Sequence, residues 1–170
     1  MRSVRIVSGE IWEQSEGRVT GFCHGVGTGA SLMGVAQALK PKSVQICALE
    51  PAGSAAITGG RQGSFAVQGW TGLVPPHWVP EWVDEVRTIA DDQAIHMTLR
   101  LAREEGIFAG ISTGANVVGS LALAERLAPA AVIVTVTIAV DTGFKYMSVP
   151  PYAAGTWRPT KTRGAPSKSD

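Results

Sequence analysis

The sequence predicts an α/β fold, a parallel sheet flanked by helices in three layers, on three observations. Residues 18–49 read in order as strand, glycine-rich turn, helix and strand, which makes one βαβ unit. Val44-Gln45-Ile46-Cys47-Ala48-Leu49 is a continuous β-prone run ending at Glu50-Pro51, the pattern of a strand buried on both faces of a parallel sheet. A small-residue helix, Ala115 to Leu127, then precedes another apolar run, Ala131 to Val140, so helices and strands keep alternating. The 170 residues are 45% hydrophobic and 17% charged, with 20 Gly and 10 Pro, which suits one domain or part of a larger one.

Taken in order, Gly9 to Gln14 reads as the tail of a helix that begins almost at Met1, with Ser8 a candidate cap and Ile11 and Trp12 in need of a packing surface. Arg18 to Cys23 is a short strand, Gly25 to Gly29 a turn, and Ser31 to Lys40 a helix stopped by Pro41. Residues 52–82 are punctuated by Gly59-Gly60, Gly63, Gly69, Gly72, Pro75-Pro76 and Pro80, so a long functional loop is expected there, carrying Trp70, Trp78 and Trp82. Asp91-Asp92 open a helix with Ile95, Leu99 and Ala102 on one face, ending at Gly106 as a left-handed cap. Ile107-Phe108-Ala109 reads as a brief strand, Gly110 to Gly114 as a turn, Ala115 to Leu127 as a helix and Ala131 to Val140 as the last strand. Residues 1–150 form the domain, and the Pro, Thr, Ser and basic residues of 151–170 predict a disordered tail.

Composition excludes several classes. The formal net charge is +1, but the last fifteen residues carry +3, through Arg158, Lys161, Arg163 and Lys168 against Asp170, so the body stands at −2 and shows no nucleic-acid footprint. The longest apolar stretch, Ala128 to Val140, is interrupted by Pro129, Thr135 and Thr137 and falls short of the about 20 residues that a membrane span needs. The start lacks an apolar signal region, so a cytoplasmic protein is expected, with neither membrane nor nucleic acid as partner. Cys23 and Cys47 lack metal-ligand spacing and read as buried reduced thiols. His24, His77 and His96 show no triad or ligand spacing and read as surface or loop histidines, and the pairs Asp91-Asp92 and Glu104-Glu105 as helix-end charges.

Chemistry concentrates in His24-Gly25-Val26-Gly27-Thr28-Gly29-Ala30-Ser31. Between a strand and a helix, such glycines let backbone N–H groups approach an anion at the helix N-terminus, which points to a phosphate. Gly25, Gly27 and Ala30 also satisfy the dinucleotide fingerprint, with Glu50 ending the next strand, so a nicotinamide-binding domain stays open, as does a purely structural turn. Gly110-Ile111-Ser112-Thr113-Gly114-Ala115-Asn116 sets hydroxyls at the start of another helix, and two such loops can face one ligand.

Together with Glu10-Ile11-Trp12-Glu13-Gln14, Ala48-Leu49-Glu50-Pro51, Arg103-Glu104-Glu105-Gly106-Ile107 and Asp141-Thr142-Gly143-Phe144-Lys145-Tyr146, these loops make the chain resemble the cysteine synthase family from about Gly9 to Ser148. Its members are fold type II, pyridoxal-phosphate-dependent enzymes that replace the acetoxy group of O-acetylserine with sulfide. The resemblance implies the large carboxy-terminal domain of such an enzyme, in truncated form. It also implies pyridoxal phosphate as cofactor, held by Gly27, Thr28, Gly29 and Ser31, with Ala30 in place of a usual glycine. An alanine there is strained if the turn demands a positive φ. Ser112 corresponds to the serine that hydrogen-bonds the pyridine nitrogen; a neutral hydroxyl suits β-elimination and replacement over transamination. Read without the family, Ser112 is a helix cap. Asp141 corresponds to the aspartate closing the last strand near the ring, with a turn role as its plain alternative.

The chain departs from the family in two places. The family's reaction uses a lysine that forms a Schiff base with the cofactor and takes the substrate α-proton; it lies well before the phosphate loop, and no lysine precedes Gly25 here. Lys40, Lys42, Lys145, Lys161 and Lys168 sit in no matching motif, and the family's asparagine loop is missing too, so no catalytic residue is assigned. In Gln68-Gly69-Trp70-Thr71-Gly72-Leu73-Val74-Pro75 the family has a longer glycine-rich loop, and the Trp70 indole is expected to fill space meant for substrate. The expectation is a portion of a β-replacement enzyme that is inactive alone and works as a homo-oligomer or with an amino-terminal partner chain. A non-catalytic module pairing with a partner, and the nicotinamide reading, are the alternatives.

Overall fold

Successive side chains of a strand point to opposite faces, so a strand covered on both sides needs apolar residues throughout. β1 (Gly21–Gly25) and β2 (Gln45–Pro51) meet that demand, with every residue but Gln45 buried. In the computed structural model, which describes residues 2–60, 62–128, 133–149 and 151–153, they lie at the centre of a four-stranded parallel sheet. Its order is β3-β2-β1-β4, with β3 at Glu85–Ile89 and β4 at Thr135–Val136.

The alternation along β1 and β2 divides the core. Phe22, Ile46 and Ala48 pack with Leu32, Val35 and Leu39 of α2 (Ala30–Leu39), and Ile11 and Trp12 of α1 (Arg2–Gln14) join them. Cys23, Cys47 and Leu49 pack on the other side with Ala94 of α3 (Asp91–Glu104) and with Ala115 and Leu123 of α4 (Ile111–Leu127). The expected three-layer α/β architecture is therefore present. Cys23 and Cys47 stand opposite each other in register, buried and unbridged. α4 approaches the sheet closely because Gly119 has no side chain: a Cβ there would fall 2.6 Å from the Leu49 methyls.

Several elements differ from expectation. β1 is displaced toward Gly25, although Thr20 already accepts from Gln45 N–H and donates to the Val134 carbonyl. β3 was not foreseen: Glu85 and Arg87 interrupt its apolar pattern, as an edge strand permits, and they pair with each other while Arg126 of α4 reaches Glu85 at 2.9 Å. Residues 107–109 form no strand, only a single antiparallel bridge between Ala109 and Thr142. α4 begins at Ile111, so Ser112 to Gly114 are its first turn rather than a connecting loop. Ser8 is buried inside α1 rather than standing at its N-cap. The last strand is shortened to β4; residues 129–132, and 154–170 of the expected tail, lie outside the described residues. As expected, α3 closes at Gly106, whose φ is +70°.

Candidate functional site

β1 delivers the chain to the glycine loop, and α2 leaves it. The left-handed residue of that turn is Gly29, the N-cap of α2 at φ 81°, whereas Ala30 is the first helical residue. The alanine in the usual glycine position therefore carries no strain, since the positive φ falls one residue earlier. The first-turn amides of α2 have no helical acceptor, which makes the loop a seat for an anion. Residues 69–71 lie over it: Thr71 N–H donates to the Val26 carbonyl at 3.3 Å and its hydroxyl to the Gly27 carbonyl at 3.2 Å. A Cβ on Gly27 would fall 2.4 Å from the Gly69 carbonyl oxygen, and one on Gly25 would fall 2.0 Å from Trp70 Nε1.

The start of α4 supplies the opposite wall. Ser112 is buried and lines the cavity from the first turn of α4. Val140 N–H donates to the Thr113 hydroxyl at 3.2 Å, tying α4 to the segment that ends in Asp141. The Tyr146 hydroxyl donates to Asp141 Oδ2 at 2.6 Å, and Lys145 Nζ lies 3.6 Å from the same oxygen. Burial, with the Asp141 carboxylate beside it, pushes the Tyr146 hydroxyl up to about 12, so it remains a donor. Among the described residues Asp141 Oδ1 is buried without a partner, directly over the α-carbon of Gly110.

These parts enclose a cavity of about 400 Å³. Gly27, Thr28, Gly29, Ser31, Ser112 and Asp141 all line it; Ala30 does not, and faces a neighbouring groove with Met33 and Trp78. Trp70 lines the cavity too, its indole against Gly25. His24, expected at the surface, is instead buried at 6% exposure on the cavity wall, and burial lowers its pKa to about 4, so the ring is neutral. His77 and His96 are exposed. Asn116, the last residue of the segment 110–116 and without a role assigned from sequence, bonds both Gly25 N–H and the His24 ring.

Glu50, on which the dinucleotide reading depends, is committed elsewhere. It is 2% exposed and accepts from Ile57 N–H at 2.7 Å, Thr58 N–H at 3.1 Å and the Thr58 hydroxyl at 2.6 Å, so both oxygens serve residues 57–58 rather than a ribose. Among the described residues no cluster of His, Cys, Asp or Glu could hold a metal ion, and no helix is long and apolar enough to cross a membrane.

Comparison with known proteins gives the family of the chain. Residues 4–138 match the family model described as pyridoxal-phosphate dependent enzyme. A cysteine synthase of Staphylococcus aureus is 36% identical over 148 residues, covering 85% of this chain and 47% of the relative. The solved cysteine synthase of Entamoeba histolytica superposes with a TM-score of 0.80 at 31% identity, covering 85% of this chain and 43% of that one. The O-acetylserine-dependent cystathionine β-synthase of Helicobacter pylori gives 0.77 at 30% identity, with 84% and 46% covered. The chain thus spans about half the length of the curated relatives it matches, and it belongs to the pyridoxal-phosphate-dependent enzyme family.

Proposed function

We propose that the chain is the portion of a pyridoxal-phosphate-dependent β-replacement enzyme that supplies the cofactor's phosphate and ring-nitrogen sites. The reaction is that of cysteine synthase, in which O-acetylserine and sulfide give cysteine and acetate. The observation that carries this reading is that two helix starts from distant parts of the sequence, α2 with its glycine loop and α4 with Ser112, line one cavity.

The residues present fit the group. The phosphate matches the amides of Gly27 to Ser31 at the start of a ten-residue helix, whose first-turn N–H groups have no helical acceptor. The ring nitrogen matches the Ser112 hydroxyl, which lines the cavity and, being neutral, does not protonate it. When bound, the cofactor supplies the electron sink that lets the β-substituent of an amino acid leave and be replaced. The chain's own residues bind and orient. Gly29 sets the loop, Ser112 fixes the ring edge, Tyr146 and Lys145 fix the position of the Asp141 side chain near it, and Trp70 narrows the space beside Gly25.

In this reading the amine that bonds the cofactor and moves the α-proton comes from a second segment. Lys145, which lines the cavity, is held in an ion pair by Asp141. The test combines the purified chain with the lysine-bearing amino-terminal half of a cysteine synthase and assays cysteine formation from O-acetylserine and sulfide, running Trp70→Ala in parallel. Cysteine is expected from the mixture and not from either half. Turnover by this chain alone contradicts the reading, as does a stable one-to-one complex without turnover in both the parent and the Trp70→Ala form. The latter outcome supports the non-catalytic module, which is favoured by the exposed Leu73, Val74, Phe144 and Met147 in and beside the segments that line the cavity.

A further inference from the structure

Asn116 lies inside α4 at 0% exposure, and its carboxamide reaches three separate parts of the site. Oδ1 accepts from Gly25 N–H at 2.9 Å; Nδ2 donates to the Ile138 carbonyl at 3.1 Å and lies 3.1 Å from His24 Nδ1. Two of these contacts settle which end is which, because a backbone N–H requires the oxygen and a backbone carbonyl requires the amide nitrogen. His24 Nδ1 therefore faces a donor and must accept, which puts the proton of the neutral ring on Nε2. A second proton on Nδ1 would set N–H against N–H inside the core, in keeping with the lowered pKa of His24. The titratable groups sharing the cavity with this ring are Asp141, Lys145 and Tyr146, and the last two already hold the carboxylate.

Ser112 precedes Asn116 by four residues and shares its helix face, Gly25 opens the phosphate loop, and Ile138 leads to Asp141. We propose that Asn116 is a positioning residue: its one carboxamide sets the phosphate loop against the helix carrying Ser112 and locks His24, a lining side chain, as the Nε2–H tautomer. The loop-setting part rests on reading the cavity as the cofactor's site; the tautomer lock does not.

Asn116→Asp tests both parts, since it keeps the size and the acceptor for Gly25 N–H but removes the donor. The ring of His24 is followed by ¹⁵N NMR at about pH 6. The parent protein should show a neutral ring protonated at Nε2, and the variant a ring protonated on both nitrogens. Calorimetric affinity for pyridoxal phosphate should fall by about tenfold in the variant. A residue needed only for packing would lower the melting temperature and leave the protonation of His24 unchanged. An Nδ1–H ring in the parent overturns the proposal, and that spectrum needs no variant to fold. A variant whose His24 stays neutral, with affinity within about twofold of the parent, overturns it as well. A parent that binds no pyridoxal phosphate yet shows both NMR results sinks the cofactor reading and supports the lock.

Discussion

Gly27 has a backbone carbonyl where its side chain would be, and that single contact makes a sharp test of the loop. In Gly27→Ala the new Cβ, 2.4 Å from the Gly69 oxygen, must push residues 69–71 off the glycine loop and break the Thr71 bonds. A loss of about 1–3 kcal/mol is expected in urea unfolding; an unchanged midpoint would show that residues 69–71 do not rest on the loop. His24 gives a test of a different kind. Its pKa near 4 in the folded chain lies below its ordinary value of 6.5, so between these the unfolded chain binds a proton that the folded one refuses. Its contribution is complete above about pH 6.5 and is lost as pH falls toward 4, by at most about 3 kcal/mol. The stability profile of His24→Gln should lack that slope; parallel profiles for parent and variant would mean that the ring titrates normally.

The joint between α3 and α4 depends on Gly114. Read from the sequence, Gly110-Ile111-Ser112-Thr113-Gly114 looks like a turn; in the structure α4 already runs through it, and Gly114 serves helix contact rather than chain reversal. A Cβ there would lie 2.1 Å from Thr98 Oγ1 and 2.3 Å from the Ala94 carbonyl, so Gly114→Ala should part the helices and cost about 1–3 kcal/mol or more. A melting temperature equal to the parent's would contradict the close packing. Local pattern made other elements plain. β2 announced itself by its continuous apolar run, α3 by its apolar face and the glycine that ends it, α2 by Pro41. β3 was illegible because its pattern belongs to an edge, where charged side chains half in water replace the apolar signal of the central strands. The two loops of the site were legible from glycine and hydroxyl spacing. Asn116 and His24 were not, for their bond joins residues 92 apart and neither carries a local sign of the other.

At the scale of the molecule, apolar side chains remain exposed next to the polar cavity, among them Phe144 at 76% and Met147 at 54%. Surfaces of that kind associate, so sedimentation of the lone chain should show a weight-average mass that rises with concentration; a single monomer species throughout would argue that no partner covers them. The chain spans less than half of the Staphylococcus aureus relative. What the two helix starts do together is decided most directly by titrating pyridoxal phosphate into the purified chain, with Ser112→Ala alongside. Saturable one-to-one binding is expected, displaced by inorganic phosphate and weakened in Ser112→Ala, with no borohydride-stable bond to Lys40, Lys42, Lys145, Lys161 or Lys168. Absence of saturable binding, or a stable adduct on one of those lysines, would contradict a site that holds the cofactor's phosphate and ring nitrogen and takes its amine from elsewhere.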